Sequence, residues 1–282
     1  MNGSHRTGQE YTGKHRRDNT LPSAWAGRAE WYGRPGPGNA LAAQIMVIAK
    51  EPVPGRVKTR LTPPYTPAEA AELAEAALAD TLATVASVNV ARRVLALAGT
   101  PGRWLPPGFD VISQRGGGLD ERIAWALADA RASSPAPLVL IGMDTPQVTA
   151  ALLAQAAEPL VSGAADATFG LAPDGGFWLL GLREIDPALV LGVPMSRSDT
   201  GSLQLARLHD AGLRVRLLPE LSDVDTADDA ERIAAATPGS RFATRVLALR
   251  HRTVALPVAA RLATAGLEPF RRVGNTLVAD GG

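Results

Sequence analysis

Short apolar runs alternate with longer segments of mixed polarity from about residue 45 onward. Apolar runs bounded by turn residues are typical of buried strands, and here they predict strands at 45–49, 94–98, 110–113, 138–142, 167–171, 177–182 and 215–218. The segments between them predict helices at about 66–86, 120–132, 149–161, 200–211 and 226–236. This alternation indicates an α/β protein with three layers, in which helices cover both faces of a mostly parallel sheet.

The two ends of the chain lack this alternation. Residues 1–44 are polar, rich in Pro, Gly and Arg, and predict a disordered or loosely packed leader. Residues 238–282 are rich in arginine, and their apolar spacing fits one or two amphipathic helices. We interpret this basic extension as a cap whose arginines face water, and contact with an acidic partner or a phosphate is the alternative. The expected transferase unit is therefore one domain over 45–237.

Composition and charge exclude several classes of protein. Hydrophobic residues make up 46% and charged residues 20% of the 282 positions, which is typical of a globular domain. A formal net charge of +1 gives no global attraction to nucleic acid or to a membrane surface, so neither is expected as a partner. Without an apolar run of about 20 residues or a signal-peptide core, we expect a cytoplasmic protein. The absence of cysteine and the scattering of the four histidines make a zinc site unexpected.

A basic loop follows the first predicted strand, with the sequence AKEPVPGRVKTRL at 49–61. Open α/β sheets bind ligands at the carboxyl ends of their strands, so this loop lies where a ligand would sit. Gly55 lets backbone N–H groups approach phosphate oxygens, while Lys50, Lys58 and Arg60 supply positive charge. The residue order is not that of a Walker A loop. The loop therefore predicts a phosphate site, and the alternative is a solvated basic turn. We expect Lys58 to be a solvated loop lysine that binds phosphate but contributes little to stability.

Three aspartates stand at positions suited to a divalent cation. Asp144 follows the buried strand 138–142, although it could equally bond its own backbone in a turn. Asp223 and Asp225 precede the helix cap at Thr226, which explains Asp228 and the acid after it but not these two. We therefore predict that Asp144 and Asp225 converge on one metal ion opposite the basic loop.

Two glycine-rich loops complete the set of candidate ligand contacts. Asp174, Gly175 and Gly176 separate two apolar runs, so they predict a hairpin turn, or a place where a sugar or base approaches the backbone. In the second interpretation Asp174 accepts a hydrogen bond from a ligand hydroxyl. Gln114 begins another such loop, which includes Gly118 and either holds a base or only turns the chain.

Four of these segments, AKEPVPGRVKTRL, GMDTP, APDGGFWLLGL and DVDTADDAERI, occur here in this order. Together they resemble the bacterial family named rSAM/selenodomain-associated transferase, or arsenosugar-biosynthesis glycosyltransferase, of the nucleotide-diphospho-sugar transferase superfamily. The resemblance spans about residues 45–235 and implies a Rossmann-like glycosyltransferase-A fold that uses Mg²⁺ or Mn²⁺. The chain is also similar to the guanylyltransferases for 2-phospholactate and the molybdenum cofactor, in which a glycine/lysine loop holds the triphosphate.

The resemblance also implies roles for individual residues. Lys58 and Arg60 would bind phosphate, and Asp144 and Asp225 would hold the metal, so that Lys58 and the two aspartates are the expected catalytic residues. The Asp-x-Asp motif common in glycosyltransferases is missing, because Gly142 and Met143 precede Asp144. This departure favours nucleotidyl transfer from a nucleoside triphosphate to a small phosphorylated acceptor.

Two other functions stay open at this point. Glycosyl transfer from a nucleotide sugar to a small-molecule acceptor would use the same metal and the same loop. A nucleotide-binding protein without catalysis is the third option, but it predicts the loss of a lysine or a metal carboxylate that is present here. The sequence leaves the base, the acceptor and the oligomeric state open, with a homo-oligomer among the options.

Overall fold

The computed structural model describes residues 40–250 and two short C-terminal segments, 271–273 and 276–278. The greater part of the predicted leader, up to residue 39, and most of the extension beyond residue 250 lie outside the described residues.

A seven-stranded sheet forms the centre of the described fold, in the order β3-β2-β1-β4-β6-β5-β7. Its strands are β1 (Leu41–Lys50), β2 (Val90–Ala98), β3 (Asp110–Ser113), β4 (Leu138–Gly142), β5 (Ala167–Leu171), β6 (Phe177–Leu182) and β7 (Val215–Leu217). Strand β6 is antiparallel to both of its neighbours, β4 and β5, and the other pairings in this sheet are parallel. The predicted mostly parallel mixed sheet is therefore confirmed. A separate antiparallel ribbon pairs β8 (Arg271–Val273) with β9 (Thr276–Val278).

Helices cover both faces of the sheet. They are α1 (Pro67–Ser87), α2 (Leu119–Ser133), α3 (Ala150–Ser162), α4 (Thr200–Asp210), α5 (Ala227–Ala236) and α6, whose described part is 241–250. Because successive strand side chains point to opposite faces, Val47 of β1 packs in the core with α1 and α3, whereas Met46 packs with α2 and α4. A third cluster joins α1, α5 and α6, where Phe242 and Val246 are buried beside Ile233.

A buried polar network ties together the amino-terminal ends of the first strands. Arg92 donates to Asp110 at 2.6 Å and to the side-chain oxygen of Gln44 at 2.7 Å. Gln44 in turn donates to the Ala136 carbonyl at 2.9 Å, and its side chain is fully buried. Strand β1 therefore begins at Leu41, ahead of the apolar run at Ile45 from which it was predicted. None of the helices within 40–250 combines the length and the apolarity needed to cross a bilayer.

Candidate active site

A cleft of about 550 Å³ opens at the carboxyl ends of β1 and β4. This is the edge at which a parallel α/β sheet binds its ligands. Six of the predicted site residues line the cleft, namely Lys50, Lys58, Arg60, Gln114, Asp144 and Asp225. Arg56, Arg122 and Ser196 also line it and were not predicted. The structure therefore brings together segments that are distant in sequence, as the predicted phosphate and metal sites require.

Lys58 is held by a left-handed turn at the end of the basic loop. Its backbone has φ 48° and ψ 41°, and it precedes a short 3-10 helix, Thr59–Leu61, that is anchored by the fully buried side chain of Leu61. The Lys58 ammonium lies 2.7 Å from Asp144 Oδ2 and 3.1 Å from Asp225 Oδ1, and only 9% of its side chain is exposed. The expectation that Lys58 is a solvated lysine with little effect on stability is therefore wrong, because its ammonium is buried between two carboxylates.

The charge of Lys58 is set by a competition between burial and its two partners. Burial is the largest influence and lowers the pKa of the Lys58 ammonium, because a charged group loses its hydration. Attraction to Asp144 and Asp225, with a hydrogen bond to each, outweighs burial and leaves the pKa above its ordinary value. Lys58 is thus a permanent positive charge at neutral pH.

An irregular segment after β7 carries Asp225 to the end of β4. The Leu218 amide donates to the Phe169 carbonyl at 2.9 Å, and the Trp178 indole donates to the Pro219 carbonyl at 3.1 Å. Farther along, the Val224 amide donates to the Asp144 carbonyl at 3.0 Å. The segment therefore runs from β5 past β6 to the end of β4, which explains why two aspartates from different elements meet at Lys58.

One carboxylate oxygen of Asp144 has no partner within the described part of the chain. Oδ2 contacts Lys58, whereas Oδ1 is buried and has no hydrogen-bond partner among residues 40–250. A buried oxygen of this kind is costly to leave unsatisfied, because it has lost water without gaining a donor. The position therefore suits a ligand that supplies positive charge or a donor, and a divalent cation is one such ligand.

A second group of carboxylates lies on the other side of Asp225. Oxygens of Asp174, Asp223 and Asp225 lie within 4.8 Å of one another, a spacing at which they could share one cation. Burial, and then repulsion by Asp225, raise the pKa of Asp223 to about 6, although Lys58 opposes the shift. Asp225 thus belongs both to this carboxylate triad and to the predicted pair with Asp144. Asp174, which was predicted to accept a hydrogen bond from a ligand hydroxyl, is a member of this triad.

The Asp-Gly-Gly turn is shaped by packing against a neighbouring loop. Gly175 has φ 90°, and a Cβ there would lie 1.9 Å from the Ser198 carbonyl oxygen. Its own carbonyl accepts from the Gly201 amide at 2.7 Å. Neither Gly175 nor Gly176 is among the residues that line the cleft. Close packing therefore accounts for glycine at 175, and the predicted ligand contact of the pair stays a prediction.

The other glycine-rich loop lies beside the cleft, but some of its polar atoms are already used. The Gln114 amide nitrogen donates to the Ala49 and Ala96 carbonyls at 2.7 and 2.9 Å, and so joins the ends of β1 and β2. Gly118 is the N-cap residue of α2, and its neighbour Gly117 lines the cleft. Gly55, with φ 74°, is exposed on the basic loop outside the cleft lining.

Three lining residues were missed for different reasons. Arg56 lies inside the basic loop, so its charge and position in the motif were a usable signal. Arg122 lies one turn into α2, where helical spacing from the glycine loop could have directed attention to it. Ser196, with φ 59°, carries no sequence signal that distinguishes it from an ordinary loop serine.

Comparisons with known proteins agree with the fold of this site. The family model "Uncharacterized protein conserved in bacteria (DUF2064)" matches residues 73–197. No curated protein sequence matches the chain. A "putative nucleotide-diphospho-sugar transferase" from Desulfovibrio desulfuricans G20 is 27% identical, with a TM-score of 0.67, over 76% of this chain and 96% of that one.

Two other solved structures are more distant. Rv0371c from Mycobacterium tuberculosis H37Rv is 24% identical with a TM-score of 0.45, over 69% of this chain and 98% of that one. The 2-C-methyl-D-erythritol 4-phosphate cytidylyltransferase from Thermus thermophilus is 17% identical with a TM-score of 0.39, over 73% of this chain and 98% of that one. The similarity to the Desulfovibrio protein confirms the glycosyltransferase-A-like α/β fold and supports the nucleotide-diphospho-sugar transferase superfamily. The narrower family resemblance stays a prediction.

Proposed function

We propose that this chain is a metal-dependent transferase that transfers a nucleotidyl group from a nucleoside triphosphate to a small phosphorylated acceptor. The observation that carries the proposal is the Lys58 ammonium, held between Asp144 and Asp225 inside the cleft. A lysine and two carboxylates converging at the carboxyl edge of a parallel sheet are the groups needed to bind a phosphate chain together with its cation.

The basic residues would hold the phosphates of the donor. Lys58 provides a compact positive charge, and Arg60, whose side chain is 76% exposed, provides a planar donor fork that now contacts Asp225 at 3.2 Å. A triphosphate would compete with the aspartates for both cations. The result is that phosphate charge is neutralised where the α-phosphorus is attacked.

The carboxylates fit a divalent cation on two observations. Asp144 has a buried oxygen without a partner, and Asp223 and Asp225 belong to the carboxylate triad. Oxygen ligands of this type suit Mg²⁺ or Mn²⁺. A cation held by them would supply Lewis-acid stabilisation of the phosphate charge. The site would then use its acidic residues to hold the metal and its basic residues to hold the phosphates of the donor.

The reaction follows from these positions. An oxygen of the acceptor phosphate attacks the α-phosphorus and forms a new P–O bond. The bond from the α-phosphorus to the bridging oxygen breaks, and its electron pair leaves with pyrophosphate. Lys58 and Arg60 stabilise the negative charge that develops on the departing oxygens, and no covalent intermediate on the protein is required.

Glycosyl transfer from a nucleotide sugar is the second candidate, favoured by the similarity to the nucleotide-diphospho-sugar transferase of Desulfovibrio. The same residues would then stabilise a departing nucleoside diphosphate. Membership of the narrower rSAM/selenodomain-associated family would be compatible with either reaction. The products distinguish the two candidates, since one releases pyrophosphate and the other a nucleoside diphosphate.

The test begins with binding and ends with products. Nucleoside triphosphates and nucleotide sugars are screened by thermal shift with Mn²⁺, Mg²⁺ or EDTA, because a ligand that binds only the folded state raises the Tm. Bound donors are then incubated with a panel of sugar phosphates and phosphorylated hydroxy acids, and ³¹P NMR identifies the released phosphate. Metal-dependent binding followed by pyrophosphate release supports the proposal. Nucleoside diphosphate release selects the second candidate, and no metal-dependent binding contradicts both.

A further inference from the structure

Arg122 is a half-buried cation on the wall of the cleft. Its guanidinium makes no hydrogen bond or ion pair with any residue in the described part of the chain, and its side chain lines the cleft wall. The neighbouring Arg115 differs, since it pairs with Asp129 and lies 4.1 Å over the Trp125 ring. A partly desolvated guanidinium is favourable only when acceptors reach it, so Arg122 is suited to contact a ligand.

The charges beside Arg122 disfavour a phosphate as that ligand. Asp120 and Glu121 lie in the same first turn of α2. Asp120 accepts from the Gly192 amide at 3.0 Å, and Glu121 accepts from the Gly117 amide at 2.7 Å. Both carboxylates are therefore fixed close to the helix terminus, and although neither lines the cleft, they weaken the attraction of this wall for an anion. A neutral ligand with acceptor atoms fits this wall better.

The same wall also has an apolar surface. Leu119 is 41% exposed, lines the cleft and is one of the few large apolar side chains exposed within residues 40–250. Gly117 beside it has no side chain to keep a flat ring away from the backbone. An exposed apolar side chain next to a donor fork is the combination that a nucleobase requires, because its face is apolar and its edge is polar.

We propose that Arg122 reads the base of the bound nucleotide and selects guanine or cytosine over adenine and uracil. An arginine has only donors, so it matches a base edge that offers two adjacent acceptors. Guanine offers O6 with N7, and cytosine offers O2 with N3. In adenine N1 and N7 lie beside the amino donor, and in uracil the two carbonyl oxygens lie beside the N3–H donor, so neither base presents two adjacent acceptors. This inference rests on the proposed function, because it assumes that the cleft binds a nucleotide with its phosphates at Lys58.

Calorimetry of five ligands tests the assignment. GTP, CTP, ATP, UTP and inorganic tripolyphosphate are titrated with Mn²⁺ into the full chain, into Arg122→Met and into Arg131→Met. Arg131 is an exposed arginine in the last turn of the same helix, so its variant is the matched control. We expect the wild type and the control to bind GTP or CTP about tenfold or more tightly than ATP and UTP. Arg122→Met should lose this preference and bind tripolyphosphate as the wild type does, which also shows that it is folded.

Two results would overturn the base assignment. One is equal affinity of the wild type for all four nucleotides. The other is a uniform loss in Arg122→Met that includes tripolyphosphate, because Arg122 would then serve the phosphates. Failure of every ligand to bind, tripolyphosphate included, would instead overturn the proposed function itself.

Discussion

The ammonium of Lys58 lies 2.7 Å from Asp144 Oδ2, a contact between a left-handed loop residue and the first acidic residue after β4. The same ammonium contacts Asp225 at 3.1 Å, so one cation bridges two carboxylates that would otherwise repel each other. The basic loop is thereby fastened to the acidic side of the cleft. Binding and stability are linked at this point, because any anion that recruits Lys58 must draw it away from its partners.

Lys58→Ala should weaken nucleotide binding and also destabilise the metal-free protein. The variant leaves Asp144 without a cation and Asp225 with only the exposed Arg60, at a cost of about 1–3 kcal/mol in the free energy of unfolding. Lys58→Gly removes the same charge but relieves the φ of 48°, so it should be more stable than the alanine variant by about 1 kcal/mol. Urea unfolding in EDTA measures the stability of both variants. Equal stability of the alanine variant and the wild type would mean that the two contacts contribute nothing.

The order of strands and helices could be predicted because each element carries its own local signal. The buried run of β4, for example, and the capping sequence that begins with Thr66 of α1 are visible without any knowledge of the fold. The start of β1 was missed because Gln44 is polar, and only partners that are distant in sequence, Arg92 and the Ala136 carbonyl, make its burial tolerable. Asp174 was missed as a member of the triad for a similar reason. Its approach to Asp223 depends on the irregular segment after β7, whose path has no periodic pattern.

Asp223→Asn should stabilise the metal-free protein at neutral pH. The folded pKa of Asp223 is about 6 against an ordinary value of 3.8, so the folded state binds its proton more tightly than the unfolded state does. The carboxylate therefore costs stability, and this cost grows as the pH rises from 3.8 to about 6 and is complete above that range. Allowing for partial exposure, the variant should gain about 1–2 kcal/mol at about pH 7.5 and much less at about pH 4.5. Urea unfolding in EDTA at both pH values measures the gain in unfolding free energy. An equal gain at the two pH values would contradict the raised pKa of Asp223.

The buried pair of Arg92 and Asp110 should behave as a unit. Arg92→Met or Asp110→Leu alone strands a buried charge and should cost about 3–5 kcal/mol of unfolding free energy. The double variant Arg92→Met/Asp110→Leu removes both charges and fills the space, so it should cost clearly less than the sum of the single variants. Denaturant unfolding of the wild type, the single variants and the double variant measures the difference. Strict additivity would show that the two side chains do not depend on each other.

The two glycines of the Asp-Gly-Gly turn should respond differently to alanine. At Gly175 a methyl group would meet the Ser198 carbonyl at 1.9 Å with φ at 90°, so either the turn or the facing loop must move. At Gly176 the nearest atom is the end of the Asp174 side chain at 3.2 Å, and the backbone is not left-handed. Gly175→Ala should therefore lose about 1–3 kcal/mol of stability, and Gly176→Ala less than about 1 kcal/mol. Equal melting temperatures for the two variants would contradict this account of the turn.

The last prediction concerns which carboxylates hold the divalent cation, since Asp225 belongs both to the triad and to the pair with Asp144. Lys58 contacts both Asp144 and Asp225, so its positive charge opposes a cation at either site. The triad adds the carboxylates of Asp174 and Asp223, so Mn²⁺ alone should prefer the triad. Asp174→Asn should then weaken Mn²⁺ binding on the order of tenfold, because one charged ligand is lost, whereas Asp144→Asn should leave it nearly unchanged.

A triphosphate changes the expectation for Asp144. Once phosphates compete for Lys58, the buried oxygen of Asp144 becomes available to the cation, so Asp144→Asn should weaken Mn²⁺-dependent nucleotide binding. Asp225→Asn should lose both kinds of binding, and adding Asp144→Asn to it should make little further difference, because groups that act as a unit are not additive. Asp228→Asn, at an exposed acid in the first turn of α5, is the matched control. Calorimetry with Mn²⁺ alone and with Mn²⁺ plus nucleotide separates the two sites, and loss of metal-only binding in Asp144→Asn but not in Asp174→Asn would assign the cation to the pair of Asp144 and Asp225.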